Sequence, residues 1–180
     1  MSDKIKLGLI GGGLSSFIGI VHRIGAYMGE NYVLIGGVFD TNFNKGNQFA
    51  QQLNLDASRS YSSLDIFIEK ELALPAHNRI EVVSILTPNF LHFEMAKKLV
   101  SAGFHVICEK PITVTADEAR TLKRLVEEKG VIFGLSHTYT GYPMVRQMKS
   151  MIAQGKIGRV QKVHAKYYHC LLYTSDAADE

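Results

Sequence analysis

Tryptophan is absent from this sequence of 180 residues, and cysteine occurs only twice. Cys108 and Cys170 are too few for a disulfide framework and lack the spacing of metal ligands, which predicts a cytoplasmic protein without a metal site. No apolar run is long enough to cross a bilayer, and no secretory signal pattern opens the chain, so we expect no membrane association. Neither sign of charge dominates at a formal net charge of +3, and scattered lysines and arginines argue against a nucleic-acid partner.

The composition is that of a globular protein, with 46% hydrophobic and 21% charged residues. A chain of this length accommodates one buried domain and part of a second. Residues 170–180 are an exception, because they resemble the translation of a sequencing adapter. We therefore leave this segment out of the fold prediction, and a genuine polar tail is the alternative.

Short apolar runs of strand length alternate with stretches of helical periodicity. The predicted strands are residues 5–10, 32–39, 81–86, 104–108 and 131–135, and the predicted helices are a stretch ending at residue 29 and residues 44–53, 61–72, 89–101 and 115–129. Thr115 and Glu118 form a capping box, and Gly130 is the stop of the same helix. Buried strands alternating with helices predict an α/β fold, in which a doubly wound parallel sheet is covered on both faces.

A different pattern follows residue 136. Residues 142–154 form an amphipathic helix, and residues 159–169 alternate roughly between apolar and polar side chains, which indicates a strand with one exposed face. We predict a first domain at residues 1–136, and at residues 137–169 a linking helix and the first strand of a second α/β domain. The partner strands of that second domain would lie further along a longer chain.

A glycine-rich turn follows the first predicted strand and opens the first predicted helix. Its candidate ligand-binding residues are Gly11, Gly13, Leu14, Ser15 and Ser16. Gly11 allows a tight turn, Gly13 lets the backbone approach a pyrophosphate, and the free amides of the helix amino terminus attract anions. Ser16 stands where a third glycine is usual, which we expect to widen the packing of helix against strand. A glycine turn without a ligand is the alternative.

Asp40 ends the second predicted strand, 29 residues after Gly11. A carboxylate there accepts hydrogen bonds from both ribose hydroxyls of an adenosine and repels a 2′-phosphate, so NAD is favoured over NADP. We assign Thr41 to the same site. A surface aspartate that begins a turn with Thr41 and Asn42 is the alternative.

Two further segments follow strands whose carboxyl ends share this edge of the sheet. The candidate residues are Thr87, Pro88, Asn89 and His92 after the third strand, and Glu109, Lys110 and Pro111 after the fourth. We expect Asn89 to cap the following helix and His92 to face the cleft. Lys110, held by Glu109, could orient a substrate hydroxyl or exchange its proton. In isolation, these segments equally fit a helix start with a surface histidine and an exposed ion pair.

Together these motifs resemble the Gfo/Idh/MocA family of sugar and polyol dehydrogenases. The resemblance covers residues 4–169 and rests on residues 11–19, Asp40, and residues 87–92, 109–111 and 137–143, of which Glu-Lys-Pro is the most diagnostic. It implies a dinucleotide-binding Rossmann domain at residues 1–136 and NAD(P) in the cleft. It also implies hydride transfer between nicotinamide and a sugar, inositol or related polyol as the small-molecule partner.

The resemblance also assigns roles by position. It places catalysis at Lys110, the ribose contact at Asp40, further cofactor contacts at Thr87, Pro88, Asn89, His92 and Glu109, and the approach to substrate at His137 and Tyr139. The Asp and His pair that completes the family's acid/base apparatus belongs to the second domain and is absent from this sequence. We therefore expect this chain to be inactive alone, and the full-length protein to be a homo-oligomer.

Two other interpretations stay open at the level of sequence. Methyltransferases that use S-adenosylmethionine also place a glycine-rich turn after the first strand and an acid after the second, but they have no use for Lys110. A dinucleotide-binding sensor that lost the chemistry would keep the same motifs. Outside these motifs His22, His77 and His105 lack partners at ligand spacing, so we expect them on the surface or in strand packing.

Overall fold

The computed structural model describes residues 4–166, which form two compact units, one ending at His137 and the other beginning at Thr138. The first unit contains a five-stranded sheet of β1 Ile5–Gly11, β2 Tyr32–Val38, β3 Val82–Leu86, β4 His105–Glu109 and β5 Phe133–Ser136. Its α-helices are α1 Phe17–Met28, α2 Phe43–Gln52, α3 Leu64–Ala73, α4 His92–Ser101 and α5 Ala116–Lys129. Short 3₁₀ turns occupy Ala57–Arg59, Ala76–Asn78 and Asn89–Leu91.

All strands of this sheet run parallel, in the order β2-β1-β3-β4-β5. The chain leaves β1 toward β2 on one side and returns to β3 on the other side, so its direction across the sheet reverses between β1 and β3. Dinucleotides bind at such a reversal, outside the carboxyl ends of the strands. The predicted α/β fold with a doubly wound parallel sheet is confirmed.

Apolar side chains alternate between the two faces of the sheet, as a pleated backbone requires. In β3, Val83 and Ile85 join one core, while Val82 and Leu86 join the other. The first core includes Phe67, Leu99 and Leu122 from α3, α4 and α5, and the second includes Phe49 and Ala50 from α2 with the partly buried Ile18 and Ala26 from α1. Helices therefore pack on both faces of the sheet. The edge formed by the carboxyl ends of the strands is lined by loops.

One carboxylate is completely buried in the first core. Glu71 Oε1 accepts a hydrogen bond from Tyr61 Oη at 2.5 Å and pairs with Arg59 Nη1 at 3.1 Å. Its Oε2 accepts from the Ile80 amide at 2.9 Å. Burial, and then the bond to Glu71, raises the pKa of the Tyr61 hydroxyl above its ordinary value. The cluster joins α3 to the segment that enters β3 and to the chain beside β2.

Several predicted helix signals are confirmed. Thr115 and Glu118 form the capping box of α5, and Gly130 ends that helix with a φ of 64°. The third predicted helix begins later than residue 61, because Ser63 caps α3 by accepting from the Ile66 amide at 3.2 Å. The expectation that Asn89 caps a helix is wrong: Asn89 lies within the 3₁₀ turn before α4, and neither Pro88 nor Leu91 at the two starts makes a side-chain cap.

The second unit contains a 3₁₀ turn at Thr138–Gly141 and the helix α6 at Pro143–Ala153, which confirms the predicted amphipathic helix. Residues 159–166, the described part of the predicted strand at residues 159–169, are not paired with another strand among the described residues. A strand needs hydrogen bonds from a neighbouring backbone, and the prediction placed the partner strands further along a longer chain, so this strand stays a prediction. Residues 167–169 and the adapter-like residues 170–180 lie outside the described residues.

Within residues 4–166, every helix is too short or too polar to span a bilayer. The same residues contain no group of three or more histidine, cysteine or acidic side chains arranged to hold a metal ion.

We expect Cys108 in β4 to make the unfolding of this protein sensitive to alkaline pH. Burial, and then the neighbouring Glu109 carboxylate, raises the pKa of its thiol to about 12 from an ordinary 9.0. The folded chain therefore keeps a proton that the unfolded chain loses, so this contribution to stability is complete below about pH 9 and is lost as the pH rises toward 12. We expect the free energy of unfolding to fall by up to about 1.4 kcal/mol per pH unit in that window.

Urea unfolding of the wild type and of Cys108→Ala, at a series of pH values from 8 to about 10, measures this effect. The substitution should lower stability at every pH because it opens a cavity, and it should also flatten the slope above pH 9. The range ends near 10.0 because the unfolded hydroxyl of Tyr61 begins to ionise there. Parallel curves for the two proteins would contradict the assignment.

Candidate cofactor site

The glycine turn after β1 is shaped by close backbone contacts. Gly11 and Gly12 have φ values of 80° and 73°, which side-chain-bearing residues rarely adopt. A Cβ at position 13 would lie 2.4 Å from the carbonyl oxygen of Phe39, so only glycine fits there without backbone movement. The turn therefore brings bare backbone to the start of α1, as an approaching pyrophosphate requires.

The start of α1 is fixed by Ser16 and Gly19. Ser16 is the N-cap, and its Oγ accepts from the Gly19 amide at 3.1 Å. A Cβ on Gly19 would lie 2.3 Å from the Gly12 carbonyl oxygen, so this glycine sets the close approach of helix to turn. The expected widening at Ser16 stays a prediction. The close contact of α1 with the turn falls three residues later, at Gly19, which ends the segment 11–19 that carries the resemblance but had no predicted role.

Arg23 is a further residue near the turn that the sequence motifs do not identify. Its Nη1 donates to the Gly12 carbonyl at 2.9 Å, and its guanidinium lies 4.9 Å from the ring centroid of Phe49. Burial lowers the pKa of Arg23 from its ordinary value. A guanidinium stays charged in proteins, so it adds positive potential behind the amides of the turn.

Asp40 lies beside a cleft on the other side of the turn. The cleft has a volume of about 370 Å³ and is lined by Leu14, Ser15, Asp40, Lys45, Gln48, Phe49 and Gln52. Asp40 Oδ1 accepts from the Asn42 amide at 2.8 Å and from Thr41 Oγ1 at 3.5 Å. Its other carboxylate oxygen makes no such contact in residues 4–166, and Thr41 is exposed. The geometry fits a ribose beside Asp40, with the adjoining base between the turn and α2.

The remaining candidates follow β3 and β4 at the same edge. The register pairs Gly11 with Leu86 and Glu109 with Ser136, so these strand ends are level, and neighbouring strands lie about 4.8 Å apart. Lys110 is exposed there, and its ammonium makes no ion pair within the described residues. The structure thus gathers the glycine turn, Thr87 and Lys110 at one edge.

The prediction that Glu109 holds Lys110 is wrong. Glu109 Oε1 instead lies 2.8 Å from Nε2 of His22, whose Nδ1 lies 2.9 Å from Ser84 Oγ. His22, expected on the surface or in strand packing, packs against β3 and β4, and its two hydrogen-bond partners there were not predicted. A partner 87 residues away in sequence leaves no local signal. His105 does sit in strand packing, where its Nδ1 accepts from the Ile132 amide at 3.0 Å.

His92 does not face the cleft as expected. Its side chain is 1% exposed, with Nδ1 2.6 Å from the Pro111 carbonyl oxygen and Nε2 2.9 Å from the Thr87 carbonyl oxygen. Both ring nitrogens therefore lie within hydrogen-bond distance of backbone oxygens, and the buried ring does not line the cleft in this arrangement. Pro88 and Asn89 are exposed between these anchors. His92 connects the ends of β3 and β4 to each other.

The two candidate substrate residues lie on either side of the division between the units. His137 is the last residue of the first unit and is exposed directly after β5. Tyr139 belongs to the second unit, where its ring centroid lies 5.6 Å from that of Tyr142 in an edge-on arrangement. Their contact with a substrate stays a prediction.

Comparison with known proteins identifies relatives of this chain. A sequence profile described as an oxidoreductase family with an NAD-binding Rossmann fold, Gfo/Idh/MocA, matches residues 5–137. An uncharacterised oxidoreductase of Bacillus subtilis is 38% identical over 177 residues, which is 98% of this chain and 44% of that protein. That alignment extends into the adapter-like segment, whose origin stays a prediction.

Solved structures agree with the sequence match. An inositol dehydrogenase homologue of Azotobacter vinelandii, solved with NADH and myo-inositol, has a TM-score of 0.86 at 34% identity and aligns with 89% of this chain and 42% of its own. An oxidoreductase of Sinorhizobium meliloti has a TM-score of 0.83 at 43% identity, with 89% and 44% covered. The chain thus spans less than half the length of these relatives.

The methyltransferase interpretation predicts neither the profile match nor these neighbours. Since the profile covers most of the chain, the protein belongs to the Gfo/Idh/MocA oxidoreductase family, whose NAD-binding Rossmann fold it carries.

Proposed function

We propose that this chain is the cofactor-binding part of a dehydrogenase that transfers hydride between NAD and a hydroxyl-bearing carbon of a sugar, inositol or related polyol. The observation that carries the proposal is the exposed Lys110 at the end of β4, on the edge that also holds the glycine turn. The Azotobacter relative, solved with NADH and myo-inositol, supports this class of substrate.

The residues of the site fit a dinucleotide. Gly13 leaves space that a Cβ would fill, since that atom would lie 2.4 Å from the Phe39 carbonyl oxygen. The amides at the start of α1 would hold the pyrophosphate and Asp40 the ribose hydroxyls. When bound, the nicotinamide supplies the hydride acceptor or donor. Lys110 then orients the substrate hydroxyl and exchanges its proton at Nζ.

We propose that Asp40 makes the site select NAD over NADP. Asp40 and Lys45 line the same cleft, so one carboxylate and one ammonium would face the 2′ position. Asp40→Ser should remove the repulsion and leave Lys45 as a phosphate partner. We expect the ratio of NADPH to NADH affinity to rise by about tenfold or more, in keeping with the loss of one close like-charge contact.

Fluorescence titration of NADH and NADPH with this chain measures the change. Lys45→Ala in the Asp40→Ser background is the matched control. It should reverse part of the rise in the NADPH-to-NADH affinity ratio, because it removes the cation that would pair with the 2′-phosphate. An unchanged ratio in Asp40→Ser would show that Asp40 does not contact the ribose.

We further propose that the 180-residue chain binds NAD without turning over substrate, and that catalysis and assembly as a homo-oligomer belong to a longer polypeptide. The test is a comparison of this chain with the full-length protein. Both should bind NADH, and only the longer protein should reduce NAD in the presence of a polyol panel. NADH binding by the full-length protein without turnover on any polyol would favour a sensor over an enzyme.

A further inference from the structure

Three polar side chains meet on the face of the sheet that α1 covers. His22 of α1 lies between Ser84 of β3 and Glu109 of β4, at 2.9 Å and 2.8 Å. The side chains of His22 and Glu109 are only 15% and 13% exposed. Ser84 is the one polar residue of β3, and all five residues of that strand are buried. A polar position in such a strand needs a partner, and His22 is that partner.

The hydrogen-bond roles in this cluster follow from its acceptors. A carboxylate only accepts, so Nε2 of His22 donates to Glu109. In the neutral ring Nδ1 is then an acceptor, and the Ser84 hydroxyl donates to it. With both nitrogens engaged, the ring has one orientation. It therefore holds α1 at a defined distance from the end of β4.

The segment that carries Lys110 is held on its other flank as well. Pro111 accepts through its carbonyl from Nδ1 of His92 at 2.6 Å, and His92 also contacts the Thr87 carbonyl oxygen at 2.9 Å. Lys110 thus stands between two neighbours, Glu109 and Pro111, each bonded to a histidine of a helix. The backbone of Lys110 is fixed while its side chain is exposed.

We propose that His22 is a positioning residue for Lys110 and acts through Glu109. It holds the strand end that carries the lysine in place relative to α1, whose amino terminus forms the phosphate site. The inference rests on the proposed function and adds to it a residue outside every motif. A looser contact between α1 and β4 would shift Lys110 relative to the reacting end of the cofactor, and errors of about 1 Å cost up to about 100-fold in rate.

The test uses the full-length protein with His22→Ala, Glu109→Ala, the double variant and His22→Gln. We expect kcat to fall about 10- to 100-fold in each alanine variant, while the Kd for NADH by fluorescence changes less than about threefold. The double variant should be no slower than the worse single variant, because both remove one contact. His22→Gln offers a donor to Glu109 and an acceptor to Ser84, so it should recover most of kcat.

Hydrogen exchange of the cofactor-free protein provides a readout apart from activity. His22→Ala should speed exchange of the backbone amides at and just after the end of β4, those of Glu109, Lys110 and Ile112. His77→Ala is the matched control, because His77 is exposed on the 3₁₀ turn Ala76–Asn78, and it should leave this exchange and kcat unchanged. If His22→Ala does not fold, Glu109→Gln and Glu109→Leu replace it: the amide keeps an acceptor for Nε2 and should preserve kcat, whereas leucine should not.

Three results would overturn the inference: a kcat within about twofold of wild type in the alanine variants, losses that add in the double variant, or an equal loss of NADH affinity and kcat. An equal loss of NADH affinity and kcat would show that His22 supports the fold in general and does not position Lys110. Failure of the wild-type protein to bind NADH would instead contradict the proposed function, and is distinguishable because it does not depend on His22.

Discussion

Replacing Lys110 with alanine in the full-length protein should lower polyol-dependent reduction of NAD by about 10²- to 10⁴-fold, the range for loss of a proton-transferring side chain. Lys110 is exposed at the carboxyl end of β4 and bonds no acid within residues 4–166, so its ammonium is available to a substrate hydroxyl. NADH affinity should change less than about threefold, because the proposed phosphate and ribose contacts follow β1 and β2 and not β4.

Lys123→Ala is the matched control for this substitution. Lys123 lies on α5 with its side chain 75% exposed and pairs only with Glu127 at 3.7 Å, so turnover should not change. Lys110→Arg separates two roles, since a guanidinium keeps the charge but does not release a proton. Turnover restored by arginine would indicate orientation by charge alone. Unchanged turnover in Lys110→Ala would remove the catalytic assignment.

Replacing Glu71 with alanine should destabilise the fold by about 3–5 kcal/mol, the cost of breaking a buried charged pair by removing one partner. The substitution leaves Arg59, whose side chain is 14% exposed, without its carboxylate. It also leaves the Tyr61 hydroxyl and the Ile80 amide without an acceptor in the core. Urea unfolding of the 180-residue chain, followed by circular dichroism, measures the loss.

Asp65→Ala provides the comparison with an exposed ion pair. Asp65 pairs with Lys98 at 2.6 Å, but their side chains are 72% and 47% exposed, so the loss should stay below about 1 kcal/mol. Glu71→Gln should fall between the two, because the amide keeps one acceptor and removes the charge opposite Arg59. A loss for Glu71→Ala no larger than that for Asp65→Ala would show that the buried cluster contributes nothing beyond an exposed pair.

The order of strands and helices is predictable from this sequence because the signals act over short distances. Thr115, Glu118 and Gly130 mark the ends of α5 within single turns of the chain. The predicted strand at residues 159–169 shows the limit of such reasoning, because a strand also needs hydrogen bonds from a neighbouring backbone, which the local pattern does not identify.

The Glu71 cluster is partly predictable from the sequence, because an acidic residue lies on the apolar face of a predicted helix. Leu64, Phe67 and Ile68 define the inward stripe of α3, and Glu71 continues that stripe at helical spacing. A carboxylate at a core position predicts a buried partner. Its identity, however, depends on how the chain beside β2 and the start of β3 pack against α3.

By itself the sequence determined the α/β architecture and the place of the glycine turn, Asp40 and Lys110 at the strand ends, because strand periodicity and parallel order bring carboxyl ends to one edge. Only the tertiary structure decided what the side chains around them contact. Glu109 bonds His22 rather than Lys110, His92 is buried rather than facing the cleft, and Gly19 sets the close approach of α1 to the turn. Such contacts join residues far apart in sequence, so their partners follow from packing and not from spacing along the chain.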